Sequence, residues 1–132
     1  MRSALLLPVT LALASCASVQ NAPEEEIRLS YGCDDLVVIA RQALLSEELV
    51  PSNHPIGVSR MVLRIDIKSV VRGSEPRRSV LAEGTLHNQP REDLDFLLVL
   101  RPRPDGTYLK SSGAVWDATP PKLAEPCSST PS

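Results

Sequence analysis

Over residues 61–73 the chain alternates, so that Met61, Leu63, Ile65, Ile67 and Val71 fall on one face and Arg64, Asp66, Lys68 and Arg72 on the other. A period of two is that of a half-buried β-strand. The run is longer than a usual strand, so it is expected to bend across two parts of one small sheet while other strands pair along it. Residues 79–86 form a shorter strand, in which Gly84 marks an expected β-bulge. Residues 95–101 are strongly apolar, and 107–116 are expected to return beside them across the turn residues Pro104, Asp105 and Gly106. The segment 35–49 admits two readings. Leu36, Ile39, Ala40, Ala43 and Leu44 would line one face of a helix capped by Asp34 or Asp35, whereas Leu36-Val37-Val38-Ile39 suits a buried strand. A strand is expected over 35–44. Proline-containing stretches at 50–57, 74–78 and 87–92 read as loops, and the chain beyond Ala118 reads as extended.

Five short strands with a bulge glycine predict an all-β fold, a small five-stranded OB-like antiparallel barrel over 29–127 followed by a disordered tail at 128–132. The 132 residues are expected to hold a single domain.

The first fifteen residues have another character. Arg2 supplies a positive start, 4–14 a short apolar run, and Leu13-Ala14-Ser15-Cys16 closes it, as in an export signal. The apolar run is too short to span a bilayer. The tetrapeptide resembles the lipobox of bacterial lipoproteins. That resemblance implies a lipoprotein signal peptide over 1–15, diacylglycerol on the Cys16 thiol, and a mature chain that begins at Cys16 with two or three acyl chains, enough for stable membrane anchoring. In that family an aspartate after the cysteine favours inner-membrane retention; Ala17 stands there instead, which implies an outer-membrane anchor facing the periplasm. The rest of 16–28, with Glu24-Glu25-Glu26, reads as a flexible tether.

With Cys16 lipidated, Cys33 and Cys127 remain, in a chain exported to an oxidising compartment. A disulfide is expected. In the chain-entropy model a loop of this size contributes on the order of 4 kcal/mol. Formal charge is −2, and −3 once Arg2 leaves with the leader, so there is no basic excess of the kind that drives nucleic-acid binding. Tyr31, Phe96, Tyr108 and Trp116 are the only aromatic residues, few for stacking bases or sugars.

The segments 33–38, 63–73 and 95–101, which read Cys-Asp-Asp-Leu-Val-Val, Leu-Arg-Ile-Asp-Ile-Lys-Ser-Val-Val-Arg-Gly and Asp-Phe-Leu-Leu-Val-Leu-Arg, look like the strand pattern of netrin and TIMP-like modules. The resemblance implies an OB-type barrel. TIMP-like inhibitors chelate a catalytic zinc through a free N-terminal cysteine, but here Cys33 lies mid-chain and Cys16 is the lipidated end, so zinc chelation is not carried over.

Candidate chemistry is sparse. His54 and His87 sit in loops, and His87 with Asp93 or Asp95 is the runner-up constellation for a small envelope hydrolase. Asp93 and Asp95, about 7 Å apart along one strand face, also resemble a general acid/base pair in spacing. No metal-ligand spacing or phosphate loop is present, and no cofactor, metal or nucleic-acid partner is expected. The best surface is the polar stripe Arg64, Lys68 and Arg72, a face for an envelope protein or an anionic envelope component. The expectation is a non-enzymatic binding or interaction module tethered to the membrane, with a purely structural lipoprotein as a further alternative. For the anchor, metabolic labelling with radioactive palmitate should mark the chain, and Cys16→Ser should abolish both the label and recovery in the membrane fraction; label persisting in the variant would refute lipidation at Cys16.

Overall fold

The computed structural model describes residues 25–50, 58–86 and 89–129. Its elements are strands: β1 (Arg28–Leu29), β2 (Leu36–Val50), β3 (Val58–Arg72), β4 (Ser79–Leu86), β5 (Phe96–Pro102), β6 (Tyr108–Val115) and β7 (Lys122–Leu123). Five of them close a barrel in the order β2-β3-β4-β6-β5, while β1 and β7 form a separate two-stranded sheet. Barrel neighbours run antiparallel except β4 and β6, which meet in parallel at Ala82 with Tyr108 and Glu83 with Leu109. The result is an OB-like barrel, with one parallel seam where antiparallel pairing throughout was expected.

Segment 35–49 is a strand because its start is buried on both faces. A helical stripe through Leu36, Ile39 and Ala40 would leave Val37 and Val38 on its flanks. Both are instead 0% exposed, Val38 inside the barrel and Val37 in a second apolar cluster outside it. The barrel interior packs Leu36, Val38, Met61, Leu63, Ile65 and Leu98 with their neighbours. The outer cluster joins Leu29, Tyr31, Val37, Leu97 and Val99, with Leu123 and Cys127 packed against them.

Alternation along β3 holds from Met61 to Ile67 and then breaks. Pairing with β2 steps from Ala40–Ile67 to Ile39–Ser69, and from Val38–Val70 to Val37–Arg72, leaving Lys68 and Val71 as extra residues. Each bulge resets the period of two. Val71 consequently packs on the outer cluster and does not share the face of Met61. Gly84, expected at a bulge, sits in uninterrupted register opposite Met61. Its place on the buried face has another cause: the Lys110 stem lies over it, 3.6 Å from where a Cβ would stand. Gly73, with φ +88°, ends β3 where a side chain would crowd the Asp35 carbonyl and Leu36 at 3.3 Å.

Both long strands exceed their expected bounds, β2 running to Val50 and β3 starting at Val58. The end of the expected tether belongs to the fold: Arg28 pairs with Lys122, and the Glu26 carboxylate reaches Lys122 (2.7 Å) and Arg28 (2.9 Å). Ser128, first residue of the expected tail, bridges Gly32, and the Cys33 N–H donates to its carbonyl at 3.0 Å. The signal segment 1–15, Cys16, His54 and His87 lie outside the described residues.

Cys33 and Cys127 form the expected disulfide, across 94 positions of sequence. It ties the chain before β2 to the chain after β7, the two segments that cover the outer cluster. Replacing both cysteines by alanine should lower the unfolding free energy by about 4–5 kcal/mol on chain-entropy grounds, read from urea titration of the two proteins. A loss below about 1 kcal/mol would mean that packing alone holds the cover in place.

Candidate functional site

The solvent face of β3 was the best surface legible in the sequence, and its three cations prove to have three different surroundings. Arg64 donates from Nε to Asp66 Oδ1 at 3.1 Å, and both side chains are about half exposed. Asp66 also accepts from the Ser79 hydroxyl at 3.0 Å. Lys68, the extra residue of the first bulge, shares Asp95 with Arg41 at 2.8 and 2.9 Å. Arg72 donates to Glu125 Oε1 at 3.0 Å while the Tyr31 hydroxyl donates to Glu125 Oε2 at 2.6 Å, so it is occupied in fastening the last segment to β3. The stripe is therefore not one continuous face. Arg64 is the member that remains beside an open cleft.

The carboxylates singled out as an acid/base pair are also separated by their partners. Asp93 receives two hydrogen bonds from Arg91, at 2.7 and 2.8 Å, and this guanidinium holds its carboxyl down at about 2. Asp95 is lowered too, chiefly by Lys68 and then by Arg41. A general acid needs its pKa raised; these two are stabilised in the ionised form. Glu92 Oε1 accepts from the Leu44 N–H at 2.8 Å, capping the edge of β2 beyond its pairing with β5.

The cleft beside Arg64 has a volume of about 240 Å³. Its floor is the outer face of β3 and β4, with Leu81 directly opposite Arg64 in register. Leu81 is an apolar residue on a polar face, 44% exposed. Ser79 flanks it, and Arg77 and the β5–β6 turn at Gly106 and Thr107 form the wall. That wall is rigidly built. Arg103 N–H donates to the Thr107 carbonyl at 2.9 Å, and Asp105 Oδ1 accepts from both the Thr107 N–H and hydroxyl at 2.9 and 2.6 Å. Gly106 takes the positive φ, +83°, that the turn requires.

Arg77 is oriented by Glu75, whose carboxylate accepts from its Nη2 at 2.6 Å and Nε at 3.2 Å, while Nη2 also donates to the Gly106 carbonyl at 3.0 Å. The Glu75 side chain is only 5% exposed and also accepts from the Tyr108 hydroxyl at 2.8 Å. Arg77 above all, with the Tyr108 hydroxyl helping, pulls the Glu75 carboxyl down to about 2. The arrangement presents two guanidiniums, each paired with a carboxylate, beside an exposed leucine.

Larger depressions exist elsewhere. One of about 570 Å³ lies between β1 and β6, beside Asp35 and Arg101. Its Asp35 carboxylate is turned onto the Gly32 N–H at 2.6 Å, and the Asp35 N–H returns to the Gly32 carbonyl at 3.0 Å, closing the turn before β2. Leu81, Ser79 and Thr107 were not singled out in the sequence. The signal for Leu81 was available: in Ser-Val-Leu-Ala-Glu-Gly it is the one large apolar residue out of phase with the inward Val80, Ala82 and Gly84.

No family model, curated protein or solved structure matches the chain.

Because the folded-state pKa of Glu75 is depressed, its contribution to stability is present above the unfolded value near 4.5 and is lost as pH falls toward about 2. Across that interval the wild-type chain should lose stability more steeply than Glu75→Gln, the two curves converging near pH 2 and lying apart at pH 6. Parallel curves in thermal melts over this range would count against a buried, ionised Glu75.

Proposed function

We propose that this chain is a lipid-anchored binding module of the bacterial envelope, held by Cys16 on the periplasmic side of the outer membrane, whose barrel docks an envelope protein of acidic surface through the β3–β4 face. The observation that carries the reading is the cleft beside Arg64, with Arg77 and the exposed Leu81. Barrels of OB type take ligands along these central strands and on the loops beside them, and the cleft combines both. The barrel interior is filled by its own side chains, so a partner has to be met on the outside. An apolar point flanked by guanidiniums is also the composition of an interface centre, where leucine burial and charge pairing act together.

The likeness of the strand pattern to netrin and TIMP-like modules belongs to the same proposal at the level of the barrel. Zinc chelation does not, since it calls for a free α-amino group and Cys33 lies mid-chain, its nitrogen a peptide N–H that donates to the Ser128 carbonyl. The hydrolase reading has less support. Asp93 and Asp95 are each already paired with cations, Asp93 with Arg91 and Asp95 with Lys68 and Arg41, so neither carboxylate is free to orient a histidine.

In-cell crosslinking of the lipidated chain, followed by identification of what co-purifies, tests the proposal. One defined envelope protein should be recovered, about tenfold less with Arg64→Glu and Leu81→Ser combined, and in undiminished amount with Lys68→Ser. Equal recovery with the Arg64 and Leu81 variant, or no specific partner from the unaltered chain, would overturn it.

A further inference from the structure

A second site, independent of the docking face, lies where the barrel opens. Strands β4 and β6 pair only at Ala82 with Tyr108 and Glu83 with Leu109. Beyond that point β4 continues against β3 alone and β6 against β5 alone, so their facing edges from Gly84 and Lys110 onward have no ladder partner. A cleft of about 160 Å³ occupies the gap, lined by Gly84, Thr85, Lys110, Ser111 and Gly113. The Lys110 stem runs between the two glycines: a Cβ at Gly84 would stand 3.6 Å from its Cβ, and one at Gly113 would stand 3.4 Å from its Cε. Its Nζ donates to the side-chain oxygen of Gln42, a neutral group 2% exposed, at 3.0 Å.

What sets Lys110 apart is its charge. Among the described residues every other lysine and arginine except Arg78 has a carboxylate within 4.0 Å. Arg78 is exposed to water, whereas Lys110 is partly withdrawn from it and its pKa is lowered by that desolvation. The internal segments 51–57 and 87–88 contain no acidic residue. A cation at such depth with only an amide oxygen for company carries an uncompensated desolvation cost.

We propose that the β4–β6 seam is a carboxylate-binding site with Lys110 as its cation. One lysine, a compact point charge, matches a monoanion better than a phosphate dianion, which calls for more donors. The unpaired strand edges offer peptide N–H groups to the second carboxylate oxygen. The cleft has room for about five waters at liquid density, so it admits a small monocarboxylate or the carboxylate end of a larger molecule and no more.

The test is an NMR titration of the full chain in detergent micelles, following backbone amides and the Lys110 side chain at fixed ionic strength. The probes are acetate, acetyl-Gly-Gly-Gly, and the same peptide with a C-terminal amide. Acetate should shift Gly84, Thr85, Ser111 and Gly113 saturably and raise the Lys110 titration midpoint by about one pH unit, because an anion favours the ammonium form. The peptide acid binding alongside acetate assigns a carboxylate terminus of a larger ligand; acetate alone assigns a small acid; the peptide amide should do nothing. Lys110→Met, which keeps the apolar stem, should weaken the response at least tenfold. Equal shifts from acid and amide, no saturable shift by about 100 mM acetate, or an unchanged response in Lys110→Met would overturn the proposal. The acid-against-amide comparison on the unaltered chain decides it even where the variant fails to fold.

Discussion

The first five residues of β2 have to be buried on both sides, and the rest of the structure follows from satisfying that demand. Leu36, Val38 and Ala40 point into the barrel, while Val37 and Ile39 point out of it among apolar neighbours. A barrel alone buries one face of each strand. Covering the other face of β2 and β5 requires a second layer, and the chain supplies it from its two ends. Leu29 and Tyr31 come from before the barrel, and Leu123 and Cys127 from after it. Short segments of this kind have little intrinsic tendency to stay in place. The β1–β7 pairing, the Tyr31–Glu125–Arg72 contacts and the Cys33–Cys127 bond all act on this one layer. The disulfide is thus the closure of a cover, not a decoration of the termini.

Filling the barrel with side chains has a consequence for function. Polar chemistry is left with the outer surface and the seam, and most of it is spent on ion pairs between half-exposed partners. Each such pair contributes little to stability. Their effect is on orientation: Asp95 holds Lys68 and Arg41 together, and Glu75 aims Arg77 across the β5–β6 turn. The Glu75 side chain is the least exposed of these carboxylates, and hydrogen bonds from Arg77 and then Tyr108 pull its carboxyl down against the effect of burial; through Arg77 the turn at Gly106 is tied to the chain before β4. The wall of the cleft beside Arg64 is accordingly part of the fold and not a loose loop resting on it.

The strands were legible in the sequence wherever one face was apolar. Met61, Leu63 and Ile65 alternate with polar residues, and the run from Phe96 to Leu100 is apolar throughout because, like the start of β2, it is covered on both faces. The stripe Arg64, Lys68 and Arg72 was legible as a pattern but not as a surface. Its members keep one spacing in sequence, yet bulges at Lys68 and Val71 and partners 27 and 53 residues away scatter them into separate environments. Gly84 illustrates the same limit. A glycine inside a strand signals either a bulge or a close neighbour, and only the packing of Lys110 distinguishes the two.

The sequence by itself determined the class of fold, the positions of the barrel strands and the cysteine pair available for a cross-link. These rest on local periodicity and residue type, which act over a few positions. It also carries the lipobox-like tetrapeptide, a signal read by resemblance in four consecutive residues. Only the tertiary structure decided that β4 and β6 close in parallel, that the chain ends form a second layer, and that Leu81 lines one cleft with Arg64 and Arg77. It alone left Lys110, among the described residues, without a carboxylate within 4.0 Å. Those outcomes depend on which distant strands become neighbours and on where an extra residue slips the register. Such choices are made by burying the whole apolar surface at once, and no window of the chain contains them.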